Sequence, residues 1–261
     1  MRKLSTIFLV LLVSLAFTTQ NFSQSTIFTE NFDSYTAGNQ VACSNPSVWT
    51  TWSNAPCGSE DALVSNDFSH SVSNSAKIIT NNDLVKKFGT TAFSSGKYKI
   101  SFWAYIPATK AGYFNTLATF AGSNSSWGVE VYFDAGGAGR VLGGSSTATN
   151  FTWPVATWFL VENIVDLDAD LAEVIINGTS VKTWQWTLGA SGTGAPLTLD
   201  ANDFFGATAS DIMYIDDYTL TDMAAAPPPL FFENFDSYTA GNLVACSNPS
   251  VWTTWSNAPC G

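Results

Sequence analysis

The chain has 261 residues, a formal net charge of −11 and a sequence pI near 4.2, with 14% aromatic and only 12% charged residues. That length allows a sizeable core and one domain plus a fragment, and the acidity excludes the basic surface a nucleic-acid partner would need. Gly, Ser, Thr and Asn crowd between short apolar runs, the composition of an all-β protein with many turns.

In chain order, Arg2 and Lys3 precede an apolar run from Ile7 to Phe17 and a polar exit, which reads as a secretory signal peptide over residues 1–24. The run is too short to span a membrane, so no span is expected after cleavage. Residues 26–222 then give one alternating strand after another. In KYKISFWAYIP, Tyr98, Ile100, Phe102, Ala104 and Ile106 share one face, and Trp103 and Tyr105 lie on the other. In WGVEVYFD, Val129, Val131 and Phe133 oppose Glu130, Tyr132 and Asp134. Each strand has one apolar and one mixed, aromatic-bearing face, so two antiparallel sheets packed as a sandwich are expected. Further strands are expected at AKIIT, GYFNTLATFAG, WFLVENIVDL, LAEVIING, VKTWQWTL and IMYIDDYTLTD, with a hairpin at Asn177-Gly178 because both turn positions tolerate positive φ. Trp184 and Trp186 are expected on one face of their strand. Residues 223–230 form an Ala/Pro linker.

Beyond the linker the chain starts again. Phe231–Gly261 repeats Phe28–Gly58 at a constant offset, differing only at Thr29/Phe232 and Gln40/Leu243, so residues 231–261 are the incomplete start of a second module. Each copy owns two cysteines, Cys43 and Cys57 or Cys246 and Cys260. In an exported chain the simplest pairing is within each copy, and a loop of about fifteen residues closed this way stabilises by about 3 kcal/mol. Two thiols without a nearby histidine or second pair are too few for zinc.

The motifs FTENFDSYTAG, GKYKISFWAYIP, GYFNTLATFAGSNSSWGVEVYF and FLVENIVDLDADLAEVIINGTSVKTW, with the closing YIDDYTLTD, together resemble the concanavalin A-like lectin/glucanase jelly roll. They are most similar to the laminin-G-like modules of secreted bacterial proteins that often end in a type IX sorting domain. The resemblance implies that the first and last strands lie side by side and that sugars bind on the concave face or its rim. If those strands are neighbours, Glu30, Asp33, Asp216 and Asp217 form an acidic group whose hard oxygens suit a structural calcium, while no cofactor is required.

The chemistry follows by elimination. The paired-carboxylate motif of this fold's hydrolases is absent: Glu130 and Asp134 stand four residues apart, about 13 Å of strand, where retention needs about 5 Å and inversion about 6.5 to 9.5 Å. His70, the lone histidine, sits in a Ser/Asp-rich stretch that reads as an exposed loop, without a nucleophile elbow. Asp166, Asp168, Asp170 and Glu173 alternate, but Leu171 stands where a calcium loop needs glycine, so a hairpin turn is expected there. The aromatic face remains. Trp103, Tyr105, Glu130 and Tyr132 are expected to share the non-core face of neighbouring strands and to bind a glycan. The expectation is a secreted, non-catalytic carbohydrate-binding or adhesion module, with a glycoside hydrolase or lyase domain and a structural spacer as the alternatives.

Overall fold

The computed structural model describes residues 24–223, 235–254 and 260; residues 1–23 of the expected signal peptide and most of the expected linker lie outside the described residues. Two compact units divide between Ala225 and Ala226. The first is built of strands β1 (Ser25–Glu30), β2 (Trp49–Thr51), β3 (Leu63–Ser65), β4 (Ser75–Ile79), β5 (Asp83–Lys87), β6 (Lys97–Tyr105), β7 (Gly112–Thr119), β8 (Ser126–Phe133), β9 (Ala138–Leu142), β10 (Thr149–Thr152), β11 (Phe159–Asp166), β12 (Leu171–Ile176), β13 (Thr179–Trp184), β14 (Ala201–Phe205) and β15 (Ile212–Asp222), plus the one-turn helix α1 (Val41–Ser44). The second contains α2 (Val244–Ser247). No helix among the described residues is long and apolar enough to cross a membrane.

The strands make two antiparallel sheets, a β-sandwich as the alternation requires. The first runs β13-β12-β11-β6-β15-β4-β3 and the second β10-β9-β8-β7-β14-β5-β2. The opening strand β1 pairs with the closing strand β15, placing Phe28 opposite Leu220 and Glu30 opposite Tyr218. Between the sheets, Phe102 meets Phe114 at 5.1 Å and Phe204 at 5.0 Å, while Phe133 meets Phe159 at 5.3 Å. Ile100, Phe102 and Ala104 of β6 and Val129, Val131 and Phe133 of β8 are buried, as their period of two demands. Asn177 and Gly178 turn the β12–β13 hairpin at φ of 50° and 78°, the primed geometry that a two-residue loop favours. The Asp168-Asp170 stretch is also a hairpin turn, and Asp170 accepts from Thr187 N at 2.8 Å.

One strand ends earlier than its alternation suggests. β13 stops at Trp184, and Trp186 begins a 3₁₀ turn, so the two rings do not share a strand face. Both are buried, and Trp186 fills the space over Gly128, where an added Cβ would stand 1.9 Å from its ring. These tryptophans belong to the core.

The expected disulfide Cys43–Cys57 is formed, as is Cys246–Cys260. Around the first, Asp61 reads the loop: its carboxylate accepts from Ala42 N and Cys43 N at 2.8 Å each, and from Cys57 N at 3.3 Å.

Candidate functional site

The sandwich separates the four residues expected to act together. Trp103 and Tyr105 lie on β6 in the first sheet, Glu130 and Tyr132 on β8 in the second, so both pairs face outward from opposite sides of the core. Sequence alternation reports which way a side chain points relative to its own strand, not which sheet the strand joins.

On the first sheet the rings are already occupied. The segment between β3 and β4 folds over them: His70 stacks on Trp103 at 3.9 Å and Phe68 on Tyr105 at 4.3 Å. A bulge in β15 between Asp216 and Thr219 fixes that segment. Buried Asp216 accepts from His70 N at 2.7 Å and from Ser71 N at 3.0 Å, while Asp217 meets His70 Nδ1 at 2.6 Å. His70 is therefore a clasp residue, not a free loop histidine. The expected calcium group does not assemble either. Glu30 accepts from Phe32 N and Tyr35 OH, Asp33 accepts from Asn74 N, and Asp216 and Asp217 serve the clasp. Among the described residues no cluster of three metal-ligating side chains occurs. These carboxylates are spent on N–H and O–H donors, so the residues present do not fit a bound cation.

The second sheet carries a cleft of about 610 Å³ on its outer face. Its floor follows from register. Asn115 of β7 stands opposite both Asp203 of β14 and Glu130 of β8, and Tyr113 stands opposite Tyr132. A period of two then puts Asp83, Asp203, Tyr113, Asn115, Glu130 and Tyr132 on one face. They form a continuous chain of hydrogen bonds across four strands. Asn115 Nδ2 donates to Asp203 Oδ2 at 2.6 Å and to Tyr113 OH at 3.2 Å. Tyr113 OH and Tyr132 OH both donate to Glu130 Oε1, at 3.1 and 2.9 Å.

At the other end of the chain, Asp83 and Asp203 are buried acids on the paired strands β5 and β14, and the Oδ1 atom of each is buried without a hydrogen-bond partner. Two carboxylates have no donor between them, so a proton held by the pair supplies the missing one. Burial raises both groups, Asp83 to about 6, and each is raised further by a neighbouring negative charge, Glu60 beside Asp83 and Asp83 beside Asp203. Burial likewise pushes Tyr132 up to about 12 and Tyr113 well above its ordinary value, with Glu130 adding to both. The two phenols therefore stay protonated and keep donating.

One wall of the cleft is aromatic. Trp52, just past β2, stacks on Trp127 at the start of β8, with centroids 5.7 Å apart and planes at 22°. Val85, Leu117, Phe120 and Ala201 form the apolar base under them. At the far end Arg140 lies 4.0 Å over the Tyr132 ring and pairs with Asp134. Of the expected residues the cleft gathers Glu130 and Tyr132; Trp52, Trp127, Asp83, Tyr113, Asn115, Asp203 and Arg140 join them from other strands.

No protein-family model matches the chain, and no curated protein does. Solved structures do share its shape. An endo-1,3-β-glucanase from Streptomyces sioyaensis superposes with a TM-score of 0.50 at 15% identity, covering 81% of this chain and 100% of that one. A variant alginate lyase in complex with alginate tetrasaccharide gives 0.46 at 12% identity over 76% and 98% of the two chains. A sialidase gives 0.45 at 14% identity over 70% of this chain, which spans only 18% of that enzyme's length. The likeness to the glucanase shows the fold, a jelly-roll β-sandwich of the concanavalin A-like kind.

Proposed function

We propose that the protein is a secreted, non-catalytic glycan-binding module of the laminin-G-like type and that the Trp52–Trp127 cleft is its binding face. The observation that carries this reading is the meeting of a stacked tryptophan wall with a hydrogen-bonded polar floor in one open cleft. Flat apolar rings receive the C–H faces of pyranose units, and fixed amide, phenol and carboxyl groups orient the hydroxyls. The Cys43–Cys57 bond suits the oxidising compartment that export supplies, and a type IX sorting route belongs to the same proposal.

Carboxyl placement favours binding over hydrolysis. Asp203 is only 2% exposed, its Oδ2 accepts from Asn115 Nδ2 and its Oδ1 is buried, so it is a supporting group rather than a proton donor to a ligand. Glu130 stands one strand beyond Asn115, about 10 Å of backbone from Asp203, wider than the roughly 5 Å of a retaining pair and at the outer edge of the roughly 6.5–9.5 Å of an inverting one, so burial of Asp203 rather than spacing carries the argument. The lining also selects ligand charge. Five acids line the cleft, Asp83 and Asp203 holding a proton between them, and Arg140, the one cation among the described lining residues, is already paired with Asp134. A neutral glycan suits this field, and a uronate polymer would meet uncompensated like charge.

Affinity electrophoresis of the protein through soluble neutral β-glucan and through alginate, with a reducing-sugar assay alongside, tests the reading. Retardation in neutral glucan, none in alginate, and no new reducing ends are expected. Absence of retardation in a panel of neutral polysaccharides, or steady release of reducing ends, would overturn it.

A further inference from the structure

Over its described residues the second copy repeats the first in conformation as well as in sequence. Phe32 and Phe235 take φ of 60° and 61°, Gly38 and Gly241 take 90° and 91°, and the same one-turn helix follows as α1 or α2. Asn45 Nδ2 donates to Tyr35 OH at 3.1 Å, and Asn248 Nδ2 to Tyr238 OH at 3.3 Å. Burial differs. Phe32 and Val41 are fully buried, whereas Phe235 is 48% and Val244 37% exposed. The stretch carries its own local shape, and a slot on the sandwich supplies the burial.

That slot is built from residues outside the duplicated stretch. β15 pairs with Phe28–Glu30, β5 pairs with β2, and Tyr218 meets Trp49 at 5.7 Å. Asp61 accepts three N–H groups of the disulfide loop, and Glu60 accepts Ser53 N at 2.9 Å. Glu60 and Asp61 stand two and three residues past Gly58, the last duplicated position. Every group they read in the first copy has the same residue type in the second.

We propose that this slot is a docking site with two claimants, and that residues 231–261 can replace residues 28–58 on their own sandwich. Chain geometry allows it. Phe28 lies beside Leu220, two residues from the end of β15 at Asp222, so residues 223–230 need to cover only about 10 Å. Eight residues reach more than twice that far, and so short a tether holds the second copy at high effective concentration beside its own sandwich. The two differing positions set the ranking. Thr29 is exposed, so Phe232 is tolerated there, but Gln40 Nε2 donates to Gly58 O at 2.7 Å and Leu243 cannot. The first copy is thus the resident and the second its replacement.

The test removes the resident. A chain of residues 59–261 is expected to unfold cooperatively as a monomer with native-like near-ultraviolet circular dichroism, while residues 59–223 alone lack that transition. An unfolded 59–261 chain, or one folded only as a dimer, would overturn the proposal. A second measurement uses the full chain. Trp49→Ala should lower Tm less in the 261-residue protein than in a chain ending at Met223, by half or more; equal losses would also overturn it.

Discussion

On the outer face of the first sheet, Trp103 and Tyr105 meet rings of the chain itself at 3.9 and 4.3 Å. On the outer face of the second, Trp52 and Trp127 meet each other at 5.7 Å and wall an open cleft. Both faces arise from the same alternation of apolar and mixed positions. The difference comes from what crosses above: the β3–β4 segment is tied across one sheet by Asp216, while the polar floor of the other is tied only within itself. An outward aromatic residue is a ligand platform only where no loop of the same chain has taken its face.

The largest expected effect separates the two faces by binding. Trp127→Ala removes half of the tryptophan wall and should weaken binding to neutral glucan at least tenfold, about 1.4 kcal/mol. Trp103→Ala should leave affinity within twofold, because its ring already holds His70. Isothermal titration of both variants decides it, and a tenfold loss from Trp103→Ala with none from Trp127→Ala would invert the assignment.

The sandwich was legible in the sequence because strand alternation and the Asn177-Gly178 turn are local signals, and β6, β8 and the β12–β13 hairpin stand where those signals put them. Pairing of the first and last strands came from family likeness and holds. The site was legible only in part. Glu130 and Tyr132 were marked by their outward phase on β8, but their partners come from β5, β7 and β14, and cross-strand register is a long-range property. Tyr113 and Asn115 in GYFNTLATF carried one usable sign, polar outward positions two apart within a strong strand. Trp52 lies past a strand end, and Trp127 lies within β8 where the pairing with β7 shifts register at Leu117, so the alternation of WGVEVYFD, which would put it with Val129 and Val131, does not report its side.

A second contrast concerns stability. Asp216 and Asp203 are both buried acids on outward positions, and burial raises both, yet their partners have opposite character. Asp216 accepts from His70 N, Ser71 N and the Ser71 hydroxyl, so Asp216→Asn would turn an amide N–H₂ toward donors or leave one unmet. A loss of about 1–3 kcal/mol is expected, near 3–9 °C in Tm for a domain of this size. The segment over Trp103 should exchange its amide hydrogens faster. An unchanged Tm would show that the clasp does not hold the face shut.

Asp203→Asn should act in the other direction. The native Asp83–Asp203 pair keeps a proton that the unfolded carboxyls release near their ordinary pKa. The folded state therefore binds more protons than the unfolded one from about pH 4 upward, to about 6 for Asp83 and beyond that for Asp203, and stability falls as pH rises through that range. An asparagine supplies the shared hydrogen permanently. The variant should have a higher Tm than the parent at pH 7, by a few degrees, and a flatter profile from pH 4 to 7. Parallel profiles for parent and variant would remove the shared proton from the account.

The smallest effect compares two tyrosines that keep their rings. Tyr132→Phe deletes only the hydroxyl that donates to Glu130 at 2.9 Å, leaving the ring under Arg140. Tyr113 still donates to the same oxygen, so the network loses one donor and not its continuity. A net hydrogen bond of this kind is worth about 0.5–1.5 kcal/mol, and freeing one Glu130 lone pair reorients the acceptor a sugar hydroxyl would meet. Glucan affinity should fall twofold to fivefold with Tm unchanged within about 1 °C. Tyr105→Phe makes the same deletion on the covered face, where the ring is held by stacking on Phe68, and should alter neither quantity. Equal changes from the two substitutions, read by titration calorimetry and thermal melts, would mean that the faces differ less in function than in geometry.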